Sequence, residues 1–350
     1  MTPRMNLPTA LALAAGLALS LPLARAAMAQ DLPELTVALG VDDANFNPTT
    51  ASVFKLAEEF GFYAKHGVKV TFVALDGSPQ AAAALQSGAV DAADLSLDAA
   101  VRLKAVNGFD IRGFVSVSTG SPFLIAAKDD IRTLEDLKGR AYAIADNGSL
   151  DHMLTMAVLR DRGIADDAPD WVAIGAPAVR VQALAAGKVD ATTVSYGTYS
   201  AIDGTPGFHI LLSAADFNAS APAISKFVVA RPEVLAAKAD AVQRFTAALI
   251  DASRELEANP ARWVDAGLAA RTDLTRDKLD ATAKAIAARW CVNGCMDPAK
   301  LDGSVAFVYA NPEMKDAPVL PAADMVDLSF TEKALAELGK EGGAGMDARN

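Results

Sequence analysis

A stretch that occurs twice at a fixed spacing constrains this chain more than any other feature. Phe72 to Ser96 contains Ala84-Leu85-Gln86-Ser87-Gly88-Ala89-Val90-Asp91-Ala92, and Trp171 to Ser195 contains Ala183-Leu184-Ala185-Ala186-Gly187-Lys188-Val189-Asp190-Ala191. At a constant offset of 99 positions nine pairs are identical: Val73/Val172, Ala74/Ala173, Ala84/Ala183, Leu85/Leu184, Gly88/Gly187, Val90/Val189, Asp91/Asp190, Ala92/Ala191 and Ser96/Ser195. Each copy reads as strand, Gly/Pro loop, short helix stopped by glycine, and second strand. Two units of related construction are therefore expected.

The rest of the chain fills in around these copies. Strands are expected at 35–39, 68–74, 92–97, 111–118, 123–127, 141–145, 208–212 and 225–230, where short runs rich in Val, Ile, Leu and Ala stand between turn residues. Helices are expected at 50–65, 98–106, 150–162, 232–259, 261–270, 275–290, 298–309 and 331–340. Pro232, Pro260 and Pro298 stand where helices begin. Thr133-Leu-Glu-Asp136 is a capping-box pattern opening a short helix that ends at Gly139. Alternating strands and helices imply an α/β protein with mixed, mostly parallel sheets and a helical C-terminal part. Phe123 to Ala127 is expected to be the first crossing between two lobes. Lobe 1 would comprise 30–122 and 222–340, lobe 2 would comprise 123–221, and 341–350 would be a flexible tail.

Residues 1–29 read differently. Arg4 gives a basic start, Leu11 to Leu19 is a short apolar run, and Ala27-Met28-Ala29 is a small-x-small cleavage site. This pattern predicts a secretory signal peptide removed before Gln30, and hence a periplasmic product. No cysteine follows the apolar run, which argues against a lipid anchor. Without those residues 30 basic side chains face 43 acidic ones, a formal charge near −13. Nucleic acid is an unsuitable partner for such a chain, because phosphate contacts need clustered Lys and Arg. Cys291 and Cys295 are the only cysteines, and Asn293-Gly294 between them lets the chain double back. A local disulfide is the leading reading in an oxidising compartment. His66, His152 and His209 are too scattered to complete a metal site.

No nucleophile elbow, Walker A loop, dinucleotide fingerprint or His-Glu-x-x-His occurs. A non-enzymatic protein with no cofactor is expected. The loops instead look built to hold a guest, since ligands of open α/β sheets sit beyond the carboxyl ends of strands. Asn147-Gly148-Ser149 opens a helix and offers backbone N–H groups and a hydroxyl to an anion or carbonyl, with His152 one turn in. Ser78 and Gln80 hold the matching junction of the first copy. Asn45, Phe46 and Asn47 lie on the first loop, Ser121 at the crossing, Ser96 after the third strand, and Thr193 and Tyr196 after its counterpart. Ser96 and Ser195 both fall at strand ends expected to face the cleft. Few Arg or Lys fall in these loops, Arg180 being the nearest candidate.

In order, the chain carries Ala57-Glu58-Glu59-Phe60-Gly61-Phe62-Tyr63-Ala64-Lys65-His66-Gly67-Val68-Lys69-Val70, Ser121-Pro122-Phe123, Ile131-Arg-Thr-Leu-Glu-Asp-Leu-Lys-Gly139 and Gly148-Ser149 with His152. These are interleaved with the two Ala-Leu-x-x-Gly-x-Val-Asp copies. Over about 33–260 this series resembles the nitrate/sulfonate/taurine-type periplasmic substrate-binding proteins of ABC importers, a group that includes binders of thiamine pyrimidine precursors. The resemblance implies a Venus-flytrap monomer that closes on a small polar or anionic molecule and docks on an ABC permease. It places the guest against Asn45 to Asn47, Ser121 and Gly148-Ser149. Alternatives are a heteroaromatic or aromatic carboxylate as guest, a membrane sensor as receptor, and a pyridoxal-phosphate-dependent pyrimidine synthase-like enzyme. The first loop, with Asp42 and Asp43 and no Trp, departs from the group's pattern, and so does the cysteine pair.

Overall fold

At an offset of 99 residues the two copies coincide element for element in a computed structural model of the chain. Residues 1, 32–39, 46–121, 123–220, 226–343 and 347 are described. The expected signal peptide (apart from residue 1), Asn45 and Pro122 lie outside them. The first sheet takes β1 (Glu34–Leu39), β2 (Lys69–Ala74), β3 (Ala92–Ser96) and β4 (Arg112–Val115). The second takes β5 (Phe123–Lys128), β6 (Ala141–Ile144), β7 (Asp170–Ala173), β8 (Ala191–Ser195) and β9 (Phe208–Leu212). The chain then returns to the first sheet with β10 (Lys226–Ala230).

Helices α1 (Val53–Glu59), α2 (Phe62–Lys65), α3 (Ser78–Gln86) and α4 (Leu97–Ala105) accompany the first sheet's strands. Among the second sheet's strands run α5 (Leu150–Asp161), α6 (Pro177–Ala185), α7 (Tyr196–Tyr199) and α8 (Ala214–Ala219). After β10 come α9 (Pro232–Ala237), α10 (Ala239–Ala258), α11 (Pro260–Ala270), α12 (Arg276–Ile286), α13 (Pro298–Tyr309) and α14 (Ser329–Leu338). Shifted by 99, α3 maps onto α6 and β3 onto β8 at both ends.

The strand orders, β2-β1-β3-β10-β4 and β7-β6-β8-β5-β9, follow one plan. In each sheet four strands run one way, and the strand that runs the other way (β10 or β5) pairs antiparallel with both neighbours. That strand is in each case the one arriving from the other sheet. The repeated residues hold this plan together. Asp91 accepts the Thr36 N–H at 2.8 Å, tying the start of β3 to β1, and Asp190 accepts the Ala141 N–H at 3.1 Å, tying β8 to β6. Lysines from elsewhere complete both carboxylates, Lys238 at 2.6 Å and Lys128 at 2.7 Å. Gly88 and Gly187 leave their helices at φ 75° and 70°, which a side chain rarely adopts. Ser96 caps α4 and Ser195 caps α7 through backbone N–H bonds of 3.2 Å.

Several expected elements are broken, each for a local reason. The helix expected over 50–65 is interrupted where Gly61 turns to φ 77°, and α2 restarts from it. The helix expected over 232–259 breaks at Lys238 (φ −113°, ψ 27°) into α9 and α10. That expected over 275–290 stops at Ile286, and Ala288 then takes φ 58° with its N–H held by the Glu257 carboxylate. Asp136 accepts N–H bonds from Arg132 and Thr133, so the capping-box residues act from the acid side. Cys291 and Cys295 form a disulfide with Cα atoms 5.1 Å apart. The expected flexible tail differs at Asp347, which is fully buried and whose carboxylate accepts N–H bonds from Asn293 and Cys295. No helix among the described residues is long and apolar enough to cross a membrane.

A candidate ligand-binding cleft

A cleft opens where strand ends of both sheets meet. The first sheet's elements contribute Asn47, Thr49, Asp76, Gly77, Ser78, Ser118 and Lys226. Those of the second contribute Phe123, Ser149, Leu150, Asp151, Pro177, Arg180, Ser195 and Thr198. The starts of α3 and α5 oppose each other across it: a Cβ on Gly77 would stand 3.9 Å from the Ser149 Cβ. Gln80 of α3 donates to the Asp146 carboxylate at 2.7 Å, bridging the two sides directly.

Helix starts carry unsatisfied N–H groups and the positive end of the helix dipole. In the loop before α5 these groups are already used. Asn147 N–H donates to the Asp146 carboxylate (2.8 Å), Gly148 N–H to His152 Nδ1 (3.1 Å) and Ser149 N–H to Asp146 O (3.1 Å). The Ser149 hydroxyl donates to Asp151 at 2.8 Å. What remains for a guest is the first turn of α5 itself, at Leu150 and Asp151. Ser78 Oγ accepts the Ser96 N–H at 2.9 Å, which fixes it against β3. The Asn47 amide and the Asp76 carboxylate, by contrast, have no partner among the described residues.

Two cations reach the cleft. Arg180 is almost wholly buried (2% exposed); its Nη1 donates to Asp151 at 2.5 Å and to Thr193 O at 2.9 Å, and its Nε has no partner among the described residues. Asp151 also accepts the Ala145 N–H at 3.0 Å, so this counter-ion is held from three sides. Lys226 enters from β10, bonded to the buried Asp94 at 3.1 Å. A buried cation without a counter-charge is strongly unfavourable, which accounts for the carboxylate behind each. With both pairs neutral overall, the unpaired Asp76 carboxylate, the helix starts and the hydroxyls set the polarity of the cavity, and Phe123, Leu150 and Pro177 supply apolar wall.

Of the residues singled out in sequence, Asn47, Ser78, Ser149, Arg180 and Ser195 line this cleft. Gln80 spans the gap without lining it. Phe46 is 1% exposed and packs on Trp263 with ring centroids 5.1 Å apart, in the core rather than the cavity. Ser96 is fully buried beneath the wall as a cap, and of the serine pair only Ser195 reaches the cavity. Ser121 is buried beside the crossing, its carbonyl accepting from Arg289 at 3.4 Å. Asn147 is exposed, and Gly148 and His152 lie behind Ser149. Thr193 is buried in a hydroxyl cluster with Tyr142 and Thr155, 2.6 Å from each, and burial pushes the Tyr142 hydroxyl well above its ordinary pKa. Tyr196 lines a separate hollow with Pro48, Gly197 and Arg289. Thr49, Asp76, Ser118, Asp151, Pro177, Thr198 and Lys226 were missed. No group of three or more metal-ligating side chains occurs among the described residues.

Two mixed sheets with a cleft between their strand ends define the fold of the periplasmic binding proteins. The chain belongs to the NMT1/THI5-like family, whose model matches residues 47–262. A curated Brucella abortus protein described as a binding protein is 28% identical over 222 residues, covering 61% of this chain and 66% of that one. The match thus spans just under two thirds of that relative's length. Among solved structures, the alkanesulfonate-binding protein SsuA of Xanthomonas axonopodis pv. citri, bound to MOPS, superposes with a TM-score of 0.68. It is 20% identical, over 86% of this chain and all of that one. The periplasmic aliphatic sulphonate binding protein SsuA of Escherichia coli gives 0.62, at 18% identity over 84% and 92%. The relatives named here are binding proteins rather than enzymes.

Proposed function

We propose that the protein is an extracytoplasmic solute-binding protein that captures a small polar or anionic organic molecule between two lobes and delivers it to an ABC permease. The observation that carries this reading is the paired construction of the cleft. One helix start and one counter-ion-backed cation come from each side: α3 and Lys226 from the first, α5 and Arg180 from the second. Lobe 1 would be 30–122 with 222–340 and lobe 2 would be 123–221, closing as hinged domains do. The sulfonate guests named for the two solved structures fit such a cavity. An anionic head would meet N–H groups and cations, and an organic body would lie on Phe123, Leu150 and Pro177. The signal-peptide reading of 1–29 and the periplasmic names of relatives support the location.

Thermal-shift screening of alkanesulfonates, taurine, nitrate, aromatic carboxylates and pyrimidines tests it. A true guest at a hundred times its dissociation constant adds about 2.7 kcal/mol, a rise of roughly 5 °C for a chain of this size. No shift across a broad panel of small polar solutes would overturn the reading.

A further inference from the structure

The loop in front of α5 is shaped by four backbone N–H bonds: two to Asp146, one from Asp146 to the Ser149 hydroxyl, and one to a histidine. His152, one turn into the helix, folds back so that Nδ1 accepts the Gly148 N–H at 3.1 Å, while Gly148 stands at φ 75°. An imidazole nitrogen accepts only when it carries no proton, so this bond requires the neutral ring with hydrogen on Nε2. That Nε2 is buried without a partner among the described residues, and the ring lies edge-on to Trp171 of β7, centroids 4.7 Å apart. A second proton would sit on Nδ1 and face the Gly148 N–H, donor against donor.

We propose that His152 is the positioning residue of the guest-holding loop and that the loop keeps its binding shape only while the ring is neutral. The inference rests on the reading of the cleft given above, since Ser149, Leu150 and Asp151 follow this loop directly into the wall. Charged neighbours pull in the opposite direction. Asp151 on the same helix, Asp146 in the loop, Asp166 ahead of β7 and Glu313 from the first-sheet side all favour the charged ring. Asp166 is itself paired with Arg160 and Glu313 with Arg102, and burial of the ring outweighs the four, lowering its pKa. Acid and guest then compete: proton uptake by His152 loosens the loop, and a bound guest resists that uptake.

The chain has only three histidines, so the His152 ring signal is assigned in an NMR pH titration by comparison with His152→Gln. In the guest-free protein the Gly148 amide is expected to shift and lose exchange protection at the same midpoint as the ring. A Gly148 amide that stays still while the ring titrates overturns the proposal. Calorimetric titration with butanesulfonate, whose charge is constant from pH 5 to 8, gives the functional arm. Wild-type affinity is expected to drop at least tenfold below the ring's midpoint. His152→Gln, which keeps an acceptor that never titrates, is expected to bind with a flat pH profile, and His152→Leu weakly throughout. Acid-weakened binding retained in the Gln variant also overturns the proposal. Absence of butanesulfonate binding at every pH counts against the solute reading, and the Gly148 amide then decides this one.

Discussion

Gly197 at the start of α7 faces Pro48 of the first loop so closely that a Cβ would lie 2.3 Å from the Pro48 carbonyl oxygen and 2.7 Å from its Cβ. Real side chains do not approach backbone in this way, so this contact between the first- and second-sheet elements exists only with glycine. Gly197→Ala is expected to keep the fold, because its φ is one any residue adopts, but to hold the two sides apart. Guest affinity should fall at least tenfold, with a larger radius of gyration in solution. Gly303→Ala, whose Cβ meets nothing, is the control and should bind as wild type.

The Arg180–Asp151 pair is expected to be the most sensitive point of the cavity. Arg180→Met leaves the Asp151 carboxylate, whose side chain is only 6% exposed, without its cation. Breaking a buried pair from one side costs about 3–5 kcal/mol. Urea unfolding should show that loss, and Arg180→Met with Asp151→Leu should recover much of the stability without recovering binding.

Gln80 and Asp146 close the gap by one hydrogen bond. Removing it with Gln80→Ala should cost the closed form about 1 kcal/mol, read as roughly fivefold faster guest release in stopped-flow measurements with unchanged melting temperature. An unchanged release rate would show that the bond does not help hold the two sides together.

Asp347 anchors the C-terminal segment on the disulfide loop. Asp347→Ala leaves the N–H groups of the buried Asn293 and Cys295 without their acceptor, at about 1–3 kcal/mol for each orphaned group. A lower melting temperature and faster proteolysis beyond Leu338 are the expected outcomes. Equal resistance to proteolysis would contradict the anchoring role.

Acid should weaken the fold partly through His152. Its ring is held neutral by burial in the folded protein, whereas in the unfolded chain it titrates near 6.5. The unfolded state therefore binds the extra proton first, so this contribution is complete above pH 6.5 and is lost as pH falls through the folded-state value. Urea titrations from pH 5 to 8 should show a shallower pH slope for His152→Gln than for wild type.

The repeat made much of the fold legible, because its residues do local work. Gly88 and Gly187 end helices, Asp91 and Asp190 tie neighbouring strands, and Ser96 and Ser195 cap the next helix. Each of these roles is read from a few consecutive residues. The site was legible where it uses helix starts, as at Ser78 and Ser149, and at the loop and strand end that carry Asn47 and Ser195. The ion pairs behind its cations were obscured by distance along the chain. Lys226 arrives on a strand 132 residues from its partner Asp94, and Arg180, though the nearest cationic candidate in sequence, shows its counter-ion only when Asp151, 29 residues earlier, is brought beside it. Phe46 misled in the opposite sense. A loop aromatic suggested a ligand cover, but α11 brings Trp263 against it and draws it into the core.

A crystal structure with the strongest thermal-shift hit would test the central claim most directly. The guest should lie between the sheets, with its polar head against the first turns of α3 and α5 and within hydrogen-bonding reach of Arg180 or Lys226. A guest bound outside this cleft, or touching only one of its two sides, would contradict the account.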